Sequence, residues 1–157
     1  SNAKRSIKKR HLGPELEDCI DILHQIIIKR KLYNKIDPNT DYVFCHGDFD
    51  PHNVIYNKKD KMCLVIDWAN YGFGLKGYDL MNFFCWLNLP FQEIVDIYLD
   101  KTVDMDVKAI VREIFLVYFY IVNSISHLNK VNFQSNYTQC INPAIHYLES
   151  LSLKLES

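Results

Sequence analysis

Between Pro14 and Lys31 the apolar residues Leu16, Ile20, Leu23, Ile26 and Ile27 return at steps of three and four, which gives a helix one apolar side. Pro14 stands where a helix can begin. Asp37-Pro38-Asn39 breaks the pattern, and Tyr42-Val43-Phe44-Cys45 then reads as a short extended segment delivering His46-Gly47-Asp48. Val54-Ile55-Tyr56 and Cys63-Leu64-Val65-Ile66 flank the polar run 57–61, a hairpin signal. After Asp67 comes a loop containing Gly72, Gly74 and Gly77. From Asp79 onward the period is helical. A helix over 79–89 is apolar on several sides and stops at Pro90, and a shorter one spans 91–99. Asp106 is placed to cap a long helix through Ile110, Ile114, Phe115, Tyr118, Ile121, Val122 and Ile125, and a last helix runs over 143–155. The pattern predicts a mainly α fold with a small β-hairpin.

Composition limits what such a fold can be. With 157 residues, 48% of them apolar, the chain can bury one ordinary core, so residues 4–157 read as a single domain. Ser1-Asn2-Ala3 reads as the remnant of a purification tag followed by Lys4, so the chain is expected to begin inside a longer protein. A net charge of -1 supplies no large positive field for a nucleic acid or an anionic membrane. The basic run Lys4, Arg5, Lys8, Lys9 and Arg10 is read as a solvated leading segment. Cys19, Cys45, Cys63, Cys85 and Cys140 are odd in number and lack a Cys-x-x-Cys, which argues against a disulfide framework or a zinc ribbon. Reduced thiols in a cytoplasmic protein are expected. No apolar run reaches the ~18–20 residues of a membrane span, and no leader is recognised, so no membrane association is expected.

The chemistry concentrates in His46-Gly47-Asp48-Phe49-Asp50-Pro51-His52-Asn53, followed by Val65-Ile66-Asp67-Trp68. Asp48, four intervening residues and Asn53 have the spacing of a kinase catalytic loop, where the Asp accepts the substrate hydroxyl proton and the Asn reaches magnesium. A phosphoryl group in transfer spreads charge over its oxygens, so a site needs metal to offset that charge and a carboxylate to orient the nucleophile. The predicted hairpin folds Asp67 back beside the loop, and Asp and Asn oxygens suit a hard cation completed by nucleotide phosphates. His46 is read as holding the loop, with Gly47 allowing the tight turn.

These motifs resemble the Brenner-type signature of the aminoglycoside phosphotransferase and choline kinase family, whose members share the protein-kinase fold. The match runs His-Gly-Asp-x-x-x-x-Asn, Ile-Asp-Trp, then Gly72, Gly74 and Tyr78-Asp79-Leu80. The resemblance implies the C-terminal lobe of a protein-kinase-like fold, α+β in the full-length protein. It implies transfer of the terminal phosphoryl of ATP or GTP to a small-molecule hydroxyl with Mg2+, Asp48 as base and Asn53 and Asp67 as metal ligands. It implies also that Asp79 braces the loop through backbone hydrogen bonds. Ala69 stands where family members often carry an acidic residue, and Asp50 where many carry His or Asn. Only Gly13 precedes Gly47, so neither a glycine-rich loop nor a Val-Ala-Ile-Lys strand lies upstream, and the nucleotide-covering lobe is expected outside this chain. The surface that lobe would cover is expected to favour self-association.

Two other readings stay open. His46, Asp48, Asp50 and His52 alternate like the ligands of a metal-dependent phosphohydrolase, although Pro51 argues against a regular strand. A non-catalytic binding module with a kinase-like lobe is the other. The acceptor is not assigned: the aromatic residues Tyr71, Phe83, Phe84, Trp86, Tyr118 and Tyr120 would suit a quaternary ammonium but also a core. Glu93, Asp96, Asp100, Asp104 and Asp106 would suit a polyamine-like or aminoglycoside acceptor but also a solvated face.

Overall fold

A computed structural model describes residues 14–99, 106–128 and 132–156. The tag remnant, the basic run and the acidic residues Asp100 and Asp104 lie outside the described residues. The first helix, α1 (Pro14–His24), buries Leu16, Cys19, Ile20 and Leu23 and continues as a wider π turn over Gln25–Lys29 that buries Ile26 and Ile27. It ends where Lys31 enters the left-handed region at φ 52°. A helical turn, α2 (Pro38–Asp41), follows the cap formed by Asp37, whose carboxylate accepts from the Asn39 amide at 3.0 Å.

Two separate two-stranded antiparallel sheets come next. The predicted hairpin is present as β2 (Val54–Asn57) and β3 (Met62–Val65), with Val54 opposite Val65 and Ile55 opposite Leu64. The extended segment β1 (Tyr42–Cys45) is also present, but its partner is β4 (Gly72–Leu75), where the sequence pattern suggests only a loop. The correction has a physical cause: Gly72 and Gly74 carry no strand propensity, so the pattern hides the pairing. A Cβ on Gly74 would come within 3.3 Å of the Cys45 sulfur on the neighbouring strand, a tight contact that glycine avoids.

The remaining chain is helical: α3 (Tyr78–Leu87), α4 (Phe91–Ile97), α5 (Val107–His127), α6 (Phe133–Asn136) and α7 (Asn142–Lys154). Asp106 caps α5, its carboxylate accepting from the Ala109 amide at 2.7 Å. The last helical region starts at Phe133, ten residues before Pro143, and a π turn over Tyr137–Ile141 joins α6 to α7. The run 134–139 hides this start, since it has no apolar period and its Ser135, Asn136 and Thr138 are indifferent helix formers. Burial of Cys140 and Ile141 holds it, and the wide turn just before Pro143 suits a residue that cannot donate an amide hydrogen.

Helix α5 is the centre of the core, with α3 and α7 packed against it. Ile114, Val117 and Ile121 are wholly buried, each contributing about 1.5–3 kcal/mol by leaving water. At 21 residues and a mean hydropathy of 1.5 it is the one helix, among the described residues, long and apolar enough to cross a membrane by length and composition. Lys108, Arg112 and Glu113 interrupt it, so it is not an unbroken apolar run, and 56% of the window is buried inside the protein. Arg30 closes the core, donating to the Ser152 carbonyl at 3.2 Å and pairing with Glu156 at 2.6 Å.

Candidate active site

The loop 46–53 runs from the end of β1 to the start of β2, and α3 holds it from beneath. Asp79, in the first turn of α3, accepts from the His46 amide through Oδ2 at 2.7 Å and from the Gly47 amide through Oδ1 at 3.0 Å. Asn82, one turn on, donates to the Phe49 carbonyl at 3.1 Å, and Phe83 stacks on the Phe49 ring at 4.9 Å. Trp86 meets the His52 ring edge-on at 5.3 Å. Positions 79, 82, 83 and 86 share one helical face, so the whole stripe faces the loop. Of these four, Asn82 alone is not singled out by sequence. The three- and four-residue steps that begin at Asp79 carry the signal for Asn82.

Gly47 has φ +83°, and a Cβ there would collide with the Asn70 carbonyl oxygen, so two independent constraints demand glycine. The His46 ring is buried, and its Nε2 lies 2.8 Å from the Ile66 carbonyl while its Nδ1 lies 3.3 Å from the Asp48 amide. A carbonyl can only accept and an amide N–H can only donate, so Nε2 carries the hydrogen and Nδ1 accepts. Both ring nitrogens are committed to backbone, one on each side of the site.

Asp48 is thus fixed at its amide, and the Asn53 side chain donates to its carbonyl at 2.9 Å. Asp50 shapes the turn between them: its carboxylate accepts from the His52 amide at 2.7 Å, and its carbonyl accepts from the Asn53 amide at 3.1 Å. The Asn53 carbonyl accepts from Ile66 at 2.9 Å, which extends the β2–β3 pairing by one bond and sets Asp67 beside the loop. Asp67 is exposed and holds a left-handed backbone at φ 60°, a conformation that costs a non-glycine residue about 1–3 kcal/mol and recurs at functional sites. Trp68 follows, anchored by Nε1 donating to the Val65 carbonyl at 3.0 Å, with its ring 4.6 Å from that of His46.

The donor set fits a hard cation. The Asn53 nitrogen is occupied by Asp48, which leaves the amide oxygen for a metal, and Asp67 adds a carboxylate that makes no cap bond. Among the described residues no three His, Cys, Asp or Glu side chains converge as a metal cluster. The alternating set His46, Asp48, Asp50 and His52 does not converge, because residues 51–53 form a 3-10 turn and Asp50 turns to His52. Close by, burial and then the carboxylates of Asp79 and Asp48 push the Tyr78 phenol above its ordinary value.

The other candidates divide between core and surface. Tyr120 is buried against Phe91, Phe84 lies near Tyr98, and Tyr118 packs beside Phe119. Tyr71 is exposed, its ring 5.5 Å from that of Phe44. Asp106 is spent as a helix cap, and Asp96 accepts from Gln92 at 3.0 Å.

This loop, braced by a carboxylate from the following helix and facing a hairpin that ends in Asp, is the candidate active site. The profile of the phosphotransferase enzyme family matches residues 3–103, and the chain belongs to that family. Among curated proteins it is similar to the probable ethanolamine kinase B of Dictyostelium discoideum, 48% identical over 42 residues. That match spans 27% of this chain and 9% of the relative's length. No solved structure matches the chain.

Proposed function

We propose that the chain carries the catalytic half of a small-molecule kinase that moves the terminal phosphoryl group of ATP or GTP to an alcohol, with an ethanolamine-type amino alcohol as the first acceptor to test. The observation that carries this reading is the Asn53 amide on the Asp48 carbonyl, with the Asn53 carbonyl tied to Ile66. Those two bonds give Asp48, Asn53 and Asp67 a fixed relation. In this reading Asp48 orients the acceptor hydroxyl and takes its proton, while the Asn53 oxygen and the Asp67 carboxylate hold magnesium. A magnesium ion bound there, completed by waters and nucleotide phosphates, would offset the charge of the phosphoryl oxygens.

Family membership and the relative's name support transfer to a small hydroxyl compound. The exposed rings of Phe44, Trp68, Tyr71 and Phe73 beside the site suit a surface shielded by further protein, and in its absence a surface for self-association. The test is nucleotide consumption by the full-length protein with magnesium against amino alcohols, aminoglycosides and sugars. Transfer to one of these that disappears in Asp48→Asn is expected. Transfer that survives the substitution would overturn the role of Asp48.

A further inference from the structure

Between the β1–β4 pair and α5 lies a cavity of about 360 Å3 that the roles above leave unused. Tyr42, Phe73 and Leu75 line it from the sheet. Tyr42 is paired with Leu75, and Phe73 lies two positions before Leu75 on the same strand, so the three share one face of the ladder. Phe115 and Phe119 line it from α5, one turn apart on a helix whose Ile114, Val117 and Ile121 are wholly buried. Tyr78, in the first turn of α3, meets the Phe119 ring edge-on at 5.2 Å, and Tyr33 completes the aromatic lining.

The lining sets the chemistry of what can sit there. It contains no Lys, Arg, His, Asp or Glu, so a charge placed in it would give up water and meet no partner. Its rings stabilise an aromatic guest beyond the area they bury, through edge-on and offset contacts. An apolar cavity of about 150 Å3 holds one benzene, so one of about 360 Å3 suits two fused rings. Tyr33, Tyr42 and Tyr78 each carry a hydroxyl, which fits a guest with one polar atom.

Two paths lead from this cavity to the loop 46–53. Tyr78 is followed by Asp79, whose carboxylate holds the His46 and Gly47 amides. Burial, then the charge of Asp79 and of Asp48, raises the Tyr78 phenol, so a residue of the cavity wall lies within electrostatic reach of both carboxylates. Strand β1 runs from Tyr42 in the wall to Cys45, the neighbour of His46. We infer that the cavity is a binding site for a small uncharged bicyclic aromatic compound, whose seating steadies the loop 46–53 through Tyr78 and β1. Binding and its effect on the loop stand apart from the phosphotransferase reading, and only an effect on turnover would rest on it.

The probe is 2-naphthol, with 2-naphthoate as its anionic counterpart and decahydro-2-naphthol as its non-aromatic one. Calorimetry on this chain is expected to show one saturable site for 2-naphthol with Kd below ~1 mM. The other two compounds should bind at least ~10-fold more weakly. Phe73 is 78% exposed and Tyr33 49%, so Phe73→Ala combined with Tyr33→Ala removes two lining rings without opening the core, and should weaken 2-naphthol ~10-fold. Amide exchange of His46 and Gly47, followed by NMR, should slow about tenfold at ten times Kd, the factor expected when only the closed loop binds. Binding that is absent, that ignores the double substitution, or that is equal for the three compounds would overturn the site. Binding with unchanged exchange at His46 and Gly47 would overturn the link to the loop. Binding by this chain that the full-length protein lacks would mean that further protein fills the cavity, and would overturn the site as well.

Discussion

The side-chain nitrogen of Asn53 donates to the backbone carbonyl of Asp48 at 2.9 Å, so the proposed metal ligand also holds the proposed base. Replacing Asn53 with Ala removes both the donor and the amide oxygen. Turnover should fall by at least ~100-fold, with a raised magnesium requirement. Kinetics measured across a magnesium series check this, and a drop that saturating magnesium fully restores would separate metal binding from loop geometry.

Asp48→Asn keeps the shape of the side chain but cannot take a proton. A loss of at least ~100-fold in turnover is expected, with the melting temperature unchanged, because the Asp48 backbone makes the loop contacts described here. Steady-state rates and a thermal melt of the same sample decide it.

Asp79→Ala leaves the amides of His46 and Gly47 without their acceptor. Each unpaired donor costs about 1–3 kcal/mol when shut away from water, so a marked fall in melting temperature should accompany the loss of activity. A variant that melted like the parent would show that Asp79 does not brace the loop.

Gly47→Ala faces a left-handed backbone and the Asn70 carbonyl at once. We expect a destabilisation larger than the ~1 kcal/mol of an ordinary surface change, read from denaturant midpoints. A midpoint equal to that of the parent would mean that the loop has room to relax.

The cysteines set an alkaline limit. Burial pushes the Cys85 thiol up from 9.0 to about 11, and burial also raises Cys19, Cys45 and Cys140. Between 9.0 and about 11 the unfolded chain has released the Cys85 proton and the folded chain retains it, so stability present below that window is lost as pH rises through it. Thermal melts over that range should show the decline, and Cys85→Ser should flatten it. At pH 8, Cys63, the exposed thiol, should react with a thiol reagent well before the four buried ones.

Much of the site was legible because its chemistry is local in sequence. The interval from His46 to Asn53 contains the turn glycine, the proposed base and the amide that holds it, and the hairpin that returns Asp67 announces itself by two apolar runs around a polar one. Asp106 was legible as a cap for the same reason. What stayed hidden depends on contacts between distant residues. Nothing in Gly72-Phe73-Gly74-Leu75 marks it as a strand until β1 lies beside it, and nothing in the polar run 134–139 predicts a helix until Ile141 finds the core. Asn82 is one more polar residue on a helix until its amide meets the Phe49 carbonyl.

The stripe of Asp79, Asn82, Phe83 and Trp86 makes the loop 46–53 dependent on the phase of a single helix. One residue inserted between positions 79 and 82 would rotate everything after it by about 100°. Asn82, Phe83 and Trp86 would then swing off the loop together, although no residue of 46–53 had changed. A change in the length of that stretch is therefore expected to disturb the loop more widely than the loss of any one of the four side chains, so the phase of the helix is a quantity this part of the protein has to keep as strictly as the residues themselves.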